Sequence, residues 1–468
     1  MLTDRLLFVK SYLNKPLPLW GIAILVYWIS LFPARFGADT NALIFLMESG
    51  ETTAHWTALY FRVFQAITLN GHAIWLGSFI SISLLAISFE NLLRAVSKNP
   101  KMLSRLRIIV AFSPFFGVFG MTLDHQLFTT VGFLNCLAFC LTKKVELLPV
   151  STGEYKSQIY FWLATSFVFL QMTFQGMFIS FIFAFMFFRF KRALSISVLA
   201  LVFGLTSASL LQVSTGRTEV SAAVSDLRLV PLLGDIKCVV QHPKVNLTPG
   251  ETETLSKLAA LENWRDPKPC IVADNAFFAL HGSSKYQVEI VKTWMSLATR
   301  YPQLILVAHL QRSSMALPPP FFRGQPNMIP TNDLEPARPE LSVELHQWSE
   351  VFKTSIDNEN LKADRPRLVQ LLEPLPLLVA FVFNQNSQFW GWGGLWLLLA
   401  AICLVLRRRE GSSAAELNTL IPLFVLSLFL FVMSPGSACR YVMPQILFGI
   451  VLTTEYLLRK TELLAHKT

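Results

Sequence analysis

Long apolar runs separated by basic clusters are the feature that most limits what this chain can fold into. Each run is long enough to cross about 30 Å of hydrocarbon as a helix. A further apolar stretch, 157–188, is too long for one span and carries Gln171, Gln175 and Gly176 near its middle, so we interpret it as a tight hairpin of two short helices. The sequence therefore predicts an all-α polytopic membrane protein with about ten transmembrane helices. The other runs lie at roughly 18–34, 71–92, 107–123, 126–142, 193–212, 387–406, 417–435 and 441–458.

The composition agrees with a membrane location. Hydrophobic residues make up 53% of the chain and charged residues only 15%, against about 25% charged residues in a typical soluble protein. This balance excludes a disordered protein, a collagen and a small disulfide-rich scaffold. It also argues against a soluble enzyme, because one water-soluble core could not hide so much apolar surface.

The net charge of +10 belongs to the membrane part of the chain. The segment 212–368 holds 17 basic and 17 acidic residues, so the excess lies outside it. With the N-terminus in the cytoplasm, 20 of the 23 basic residues outside this segment fall on the inner side, as the positive-inside rule requires. A single span at 157–188 would place every later basic cluster outside. The charge therefore indicates a topology with both termini in the cytoplasm, and it does not indicate nucleic-acid binding.

This topology divides the chain into three parts. Residues 1–212 hold transmembrane helices 1 to 7, with the first outer loop at 34–70. Residues 213–368 form an external, mainly helical domain. Residues 369–468 hold an interfacial segment and transmembrane helices 8 to 10.

Two helices of the external domain can be predicted from local signals. Thr248 can cap a helix in which Pro249 takes the first position and Glu251 completes a capping box. The stretch 285–300 is amphipathic, and its predicted apolar face carries Val288, Val291, Met295 and Ala298.

Two cysteines of the same domain, Cys238 and Cys270, could form a disulfide in an oxidising compartment. The alternative is a pair of unpaired thiols, and the sequence favours neither.

The familiar cytosolic signatures are missing from the sequence. It contains no GxxxxGK[ST] phosphate-binding loop, no GxGxxG, no HExxH and no CxxC. The predicted cytoplasmic loops are also short. We therefore expect any chemistry on the outer face, where few ionisable residues lie outside the external domain.

Three arginines break the positive-inside pattern, namely Arg35, Arg62 and Arg440. Arginine at a membrane surface suits a phosphate or diphosphate group, because its guanidinium donates two parallel hydrogen bonds. The alternative for each is an arginine that reaches to lipid phosphate.

Two carboxylates fall on the predicted outer face. Asp39 follows the break at Phe32-Pro33 and could act as a general base on an acceptor hydroxyl, or else cap the helix that follows. Asp124-His125 lies in a very short outer turn, where the carboxylate could face Asp39 across a cavity or simply stabilise the turn. His55 lies near the start of a predicted amphipathic helix at 51–68, where a structural role is the alternative to a catalytic one.

These residues resemble polytopic membrane glycosyltransferases of the GT-C type, and most of all their uncharacterised bacterial branch. The matching features run in order along nearly the whole chain: Pro33 followed by Asp39, His55-Trp56, Leu123-Asp124-His125, the segment Trp294 to Pro302, and Arg440-Tyr441 with Pro444.

The resemblance implies roles for particular residues. Asp39 would be the catalytic base and Asp124 a second acidic residue of the site, while Arg440 would lie near the lipid phosphate. Tyr441, Arg35, Arg62, His55 and His125 are the remaining candidates for substrate binding. Two departures are that Leu123 stands where the family often has Lys, and that the hairpin reads Thr173-Phe174-Gln175-Gly176 where Arg and Asn are expected before the glycine.

The implied activity is transfer of a sugar from a polyprenyl-phosphate donor to a cell-envelope glycan or lipid acceptor. The transfer would be inverting and would take place on the outer face of a bacterial inner membrane. The expected partners are this donor, this acceptor and membrane lipid, with no nucleic acid. The sequence identifies no cofactor and leaves the use of a divalent metal open.

Other functions fit the same pattern. A lipid-linked oligosaccharide ligase or polymerase would share the outer arginine and the external domain but would not need Asp39 as a base. A transporter or flippase ranks lower, because charged residues are nearly absent from the middle of the spans. A non-enzymatic assembly protein would use the external domain to bind a partner.

Overall fold

Every secondary-structure element in the described part of the chain is a helix. The computed structural model describes residues 16–32, 34, 58–142 apart from 71, 154–187, 229–317 apart from 268–269, 271–275, 277 and 281, then 371, 391–433 apart from 413, and 439–465. The α-helices are α1 (Pro16–Ser30), α2 (Ala58–Ile67), α3 (Ile74–Val96), α4 (Pro100–Ala111), α5 (Pro114–Gly120), α6 (His125–Thr142), α7 (Glu154–Leu170), α8 (Phe174–Phe187), α9 (Val230–Val240), α10 (Pro249–Leu258), α11 (Leu261–Arg265), α12 (Gln287–Arg300), α13 (Pro302–Arg312), α14 (Gly393–Arg409), α15 (Leu420–Met433) and α16 (Cys439–Ala465).

Three of these helices are long and apolar enough to cross a membrane, namely Ile74–Val96, His125–Thr142 and Tyr441–Ala465. Shorter apolar helices lie at Pro18–Ser30, Gln175–Phe187 and Glu416–Val432. The described part of the chain is thus all-helical and holds three candidate spans. The predicted run 193–212 and nearly all of the segment 368–384 lie outside the described residues.

One apolar core joins the helices of the predicted membrane part, α1, α3 to α8 and α14 to α16. Aromatic rings fill much of it, as at Trp20, whose ring centroid lies 5.1 Å from that of Phe116. α14 and α16 also pack closely, because Gly449 lies against the backbone of Trp396.

The apolar run 107–123, predicted to form one span, is divided between two helices. α4 ends at Ala111 and α5 starts afresh at Pro114. Ser113 caps the new helix by accepting a hydrogen bond from the backbone N–H of Phe116 at 3.2 Å. Pro114 has no N–H to continue the earlier ladder, and it suits the first position of a new helix.

The interpretation of 157–188 as two short helices is confirmed. α7 and α8 contact each other and are joined by residues 171–173. The Thr173 hydroxyl accepts a hydrogen bond from the backbone N–H of Gly176 at 3.0 Å. A Cβ on Gly176 would lie 2.2 Å from the carbonyl oxygen of Leu170, so only glycine fits this turn.

Basic clusters that are far apart in sequence meet at one end of the bundle, which we call the basic end. Arg407 of α14 donates to Glu455 of α16 at 3.2 Å and to the carbonyl oxygen of Val96 at 3.5 Å. Arg105 of α4 pairs with Glu462 of α16 at 2.9 Å. The clusters at 94–107, 407–409 and 459–460 were predicted to share one side of the membrane, and the bundle brings members of all three together.

A second core, around the buried Trp264, joins α9 to α13 in the predicted external domain. The predicted capping box is present, because Thr248 and Glu251 each bond the other's backbone N–H. Arg300 of α12 pairs with the buried Glu251. Burial raises the pKa of Glu251, but the hydrogen bonds from Arg300 and from the Thr248 N–H outweigh it and hold this pKa below its ordinary value.

The amphipathic helix at 285–300 is confirmed as α12, but the prediction of its buried face is wrong. The buried residues are Ile290, Thr293 and Leu297. Val288 and Met295, expected on the core face, are 61% and 58% exposed. The face that carries Ile290 and Leu297 packs in the core. The sequence pattern alone could not distinguish between two partly apolar faces of this helix.

Cys238 and Cys270 are joined in a disulfide, with their Cα atoms 5.7 Å apart. The bond ties α9 to the chain that follows α11. Lys237, next to Cys238, donates to the backbone carbonyl oxygens of Asn263, Trp264 and Asp266, so the same end of α9 is fixed twice.

Gly449→Ala is expected to destabilise the bundle by about 1–3 kcal/mol. The added Cβ would lie 2.5 Å from the Trp396 carbonyl oxygen and 2.7 Å from its Cβ. The measurement is the midpoint of unfolding of the full chain in one detergent. Gly21→Ala is the matched control, because nothing lies within 4 Å of its Cβ position. An equal effect of the two substitutions would contradict the close packing of α14 on α16.

Replacing both Cys238 and Cys270 by serine should lower the stability of the external domain by about 3–4 kcal/mol. The reason is the separation of 32 residues between them, which leaves a large loop free in the unfolded chain. Digestion without reductant should yield one linked pair of peptides that reduction separates. Alkylation of both thiols in the unreduced protein would contradict the bond.

Candidate active site

The structure describes only some of the predicted site residues. Asp124, His125, Arg62 and Tyr441 are described with their side chains. For Arg440 it describes the backbone, which lies in the first turn of α16, but not the side chain. Asp39, Arg35 and His55 lie outside the described residues.

Asp124 is buried at the N-terminus of α6. Its carboxylate oxygen Oδ1 accepts a hydrogen bond from the backbone N–H of Gln126 at 2.8 Å. Only 8% of its side chain is exposed. The free N–H groups of a helix N-terminus favour a negative charge at this position. Stabilisation of the turn is one of the roles expected for Asp124 from the sequence, and in the structure Asp124 has a role of this kind as the cap of α6.

His125 connects this carboxylate to a chain of polar side chains. Its Nδ1 lies 3.0 Å from Oδ1 of Asp124. Its Nε2 lies 3.2 Å from Nε2 of Gln126, an amide nitrogen that can only donate. Nε2 of His125 therefore accepts, and the proton of a neutral ring lies on Nδ1, facing the carboxylate.

The chain of polar groups continues to the α7–α8 turn. Gln175 of α8 donates to the side-chain oxygen of Gln126. Thr129 of α6 donates to the hydroxyl of Thr173 at 3.0 Å. All four side chains are buried. With Asp124 and His125 they form what we call the polar cluster, and hydrogen bonds in such a chain strengthen one another.

The predicted first outer loop contributes α2 to the same site. Tyr60 donates its hydroxyl to the carbonyl oxygen of Leu123 at 3.0 Å, and its ring centroid lies 5.5 Å from that of His125. Tyr60, Phe64 and Ala34 pack in a separate apolar cluster with Leu123 and with Met172 of the α7–α8 turn. Three segments distant in sequence are thus held together over Asp124.

The polar cluster and the basic end lie at opposite ends of α3. Gly77, near the start of α3, lies against Thr68 and Leu123, whereas Val96, its last residue, accepts the bond from Arg407. Their separation of 19 positions corresponds to about 28 Å of helix. This is close to the thickness of the hydrocarbon layer, so the two ends are spaced as the two faces of a membrane would require.

Arg62 and Tyr441 are not part of the polar cluster in the described contacts. Arg62 lies on α2 and donates a hydrogen bond to the side-chain oxygen of Gln65 at 3.1 Å. Tyr441 is half-buried in the first turns of α16 and packs against the main core. In the described residues, no group of three or more His, Cys, Asp or Glu side chains is placed to hold a metal ion.

The sequence interpretation missed Tyr60, Gln126 and Thr129 as members of the site. Gln126 follows Asp124-His125 directly, so the pair could have been extended by one residue. Gln175 was noted as a marker of the hairpin, and Thr173 and Gln175 as departures from a family pattern; the structure shows what they contact. Tyr60 carries no local signal, since its ring reaches the site only through the packing of α2.

No protein-family model matches the chain, and comparison with curated proteins and with solved structures gives no match either.

Asp124→Ala should destabilise α6 by about 1 kcal/mol, because the cap of Gln126 N–H is lost. Asp124→Asn keeps an oxygen acceptor at the same place, and Asn caps helices about as well as Asp. It should therefore destabilise α6 much less than Asp124→Ala. The measurement is the unfolding midpoint of both variants in one detergent. Equal destabilisation by Asn and Ala would show that the charge, and not the cap, stabilises this end of α6.

Proposed function

We propose that the protein is an integral membrane glycosyltransferase that moves a sugar from a polyprenyl-phosphate donor to a cell-envelope glycan or lipid acceptor. The observation that carries the proposal is the buried carboxylate–imidazole pair of Asp124 and His125, held at one end of a helical bundle by segments that surround it. The resemblance to GT-C glycosyltransferases suggests the reaction, and no comparison supports it independently.

The proposed topology has about ten spans, with both termini in the cytoplasm of a bacterium and the external domain outside its inner membrane. Three candidate spans and three shorter apolar helices are consistent with it. The meeting of distant basic clusters at one end supports it as well, because the positive-inside rule would place that end in the cytoplasm. The polar cluster then faces outwards.

The proposed reaction is a single displacement at the anomeric carbon. The acceptor oxygen forms a bond to this carbon, the bond from the carbon to the phosphate oxygen breaks, and the configuration inverts. The acceptor proton passes to the carboxylate of Asp39, which acts as general base. The polyprenyl phosphate leaves with an added negative charge, and Arg440 would stabilise that charge.

Asp124 and His125 take a supporting role in this proposal. Asp124 caps α6, and the ring of His125 lies between its carboxylate and the amide of Gln126. A fixed imidazole beside a buried carboxylate can hold a sugar hydroxyl by accepting or donating a hydrogen bond. We therefore place both residues at the substrate, with the proton transfer itself assigned to Asp39.

The decisive experiment is a radiolabelled transfer assay in membranes with a panel of polyprenyl-phosphate sugars. Asp39→Asn should reduce transfer by about 10²–10⁴-fold, the usual contribution of a general base. Asp124→Asn, which preserves the cap, should also reduce transfer, though less. Glu262→Gln is the control, because Glu262 is an exposed residue of the external domain.

Near-normal turnover by Asp39→Asn would show that the base is assigned wrongly. If Arg440→Ala abolished activity while Asp39→Asn had no effect, a lipid-linked oligosaccharide ligase or polymerase would be the better assignment. Transfer from no donor in the wild-type protein would contradict the proposal as a whole.

A further inference from the structure

The external domain is joined to the membrane bundle through α13. This helix packs on α9 and α12, and it also contacts α15 of the bundle. His309 of α13 lies at this junction, because its Nε2 is 2.9 Å from a carboxylate oxygen of Asp235 on α9 and its Nδ1 is 3.2 Å from the carbonyl oxygen of Phe431 on α15. Beyond α13, the carbonyl oxygen of Leu317 accepts a hydrogen bond from the indole of Trp392 at 2.6 Å. The chain at α13 is therefore held against the bundle at two points.

Both points lie at the end of the bundle opposite to the basic end. α15 starts shortly after Glu416, which lies 3.4 Å from Arg407 of the basic end. Phe431 is in the last turn of α15, away from that charge. Trp392 directly precedes α14, the helix whose last turn carries Arg407. In the proposed topology α13 thus lies at the level of the outer membrane surface, where tryptophan is enriched.

Apolar side chains are exposed on particular helices of the external domain. Within the described part of 229–317, the large ones belong only to α12 and α13: Val288 and Met295 are 61% and 58% exposed, and Leu306 and Val307 are 50% and 43% exposed. We call these four residues the apolar face. α10 and α11 instead expose charged residues, namely Glu253, Lys257, Glu262 and Arg265. The apolar exposure is thus confined to the helix that contacts the bundle and to the helix that packs on it.

Leu306 lies beside the contact with α15. It precedes His309 by three positions, so it lies about 60° round the helix from the residue that contacts Phe431. The buried residues of α13 lie on the other side of His309, and they are Ile305, Ala308 and Arg312. On α15, exposed apolar residues recur at successive turns, at Phe424, Leu428 and Val432. Leu306 therefore adds apolar surface next to the outer end of a stripe that would face lipid.

We propose that the apolar face lies on the outer leaflet of the membrane, at the boundary between headgroups and acyl chains, and docks the external domain on lipid. A helix at this boundary buries its apolar side chains while its polar side stays in water. The inference rests on the membrane topology of the proposed function, but it does not depend on the proposed sugar transfer.

The exposed side of α12 also carries a charge that suits a lipid surface. Lys292 lies one turn after Val288 and is exposed. Its aliphatic stem can cover apolar surface while its ammonium reaches a lipid phosphate. Glu289 lies about 100° round the helix from Val288, away from the stripe of Val288 and Met295.

The test is photolabelling of the full-length protein in lipid nanodiscs. The probe is a phosphatidylcholine that carries a diazirine on its acyl chain close to the headgroup, and mass spectrometry locates the labelled peptides. We expect label in α12 and α13, and in the exposed stripe of α15 as a reference, but none in α10 and α11. A water-soluble diazirine should label α10 and α11 and leave the apolar face unlabelled.

A pair of charged substitutions tests whether the apolar face itself holds the domain on lipid. Leu306→Glu with Val307→Glu should lower the lipid labelling of α12 by about tenfold or more, because removal of two apolar side chains of this size from lipid shifts an equilibrium by at least that factor. Both residues are exposed, so the core of the domain should not change. Ser256→Glu with Asn263→Glu is the matched control, since it adds the same charge at exposed positions of α10 and α11, and it should leave the labelling unchanged.

Lipid label in the stripe of α15 without label in α12 and α13 would overturn the docking and leave the topology intact. Equal lipid labelling of α10 and α13 would also overturn it. Absence of lipid label from α15 as well would contradict the topology and the docking together. An apolar face that neither probe labels, in nanodiscs that hold two copies of the chain, would assign this face to a second copy instead. Should the variant with two glutamates fail to fold, the wild-type labelling pattern still decides.

Discussion

An apolar helical bundle has no water with which to solvate a charge, so charged side chains must gather at its ends and pair there. The basic end satisfies this constraint with named pairs. Arg107 donates two hydrogen bonds to Glu90, at 2.8 and 2.6 Å, although both residues lie on helices of the bundle. Arg407 and Glu455 repeat the arrangement between α14 and α16. These pairs fix which helix ends meet at the basic end, and α3 leads from there to Gly77, which lies against Leu123 beside Asp124.

The polar cluster lies at the other end of α3 from these charged pairs. It contains one carboxylate and one imidazole, and the remaining members are neutral amides and hydroxyls that hold them in place. The helix N-terminus supplies the stabilisation that a basic partner supplies at the other end. A site built in this way can accept or orient a proton while it leaves positive charge for a phosphate to other residues. The junction at His309 follows a third pattern, since a buried carboxylate is shared among an indole, a guanidinium and an imidazole.

Local signals predicted some parts of the fold well. The capping box at Thr248 and Glu251 needs only four consecutive residues, and the turn at Thr173–Gly176 is marked by its glycine. The break at Ser113-Pro114 carried an equally local signal, a cap followed by proline, but apolar residues on both sides obscured it. The buried face of α12 was predicted wrongly, because two of its faces are partly apolar and only the position of α9 and α13 decides between them.

The sequence by itself determined that the chain is helical and apolar, which residues are charged, and that Asp124-His125 begins a helix after a very short turn. These properties follow from composition and from contacts within a few residues. Only the tertiary structure decided that Tyr60, Gln126 and Gln175 meet at that turn and that Cys238 reaches Cys270. It also decided that His309 lies between Asp235 and α15. Such contacts join residues that are tens to more than a hundred positions apart, and they exist only because burial of apolar surface brings whole helices together.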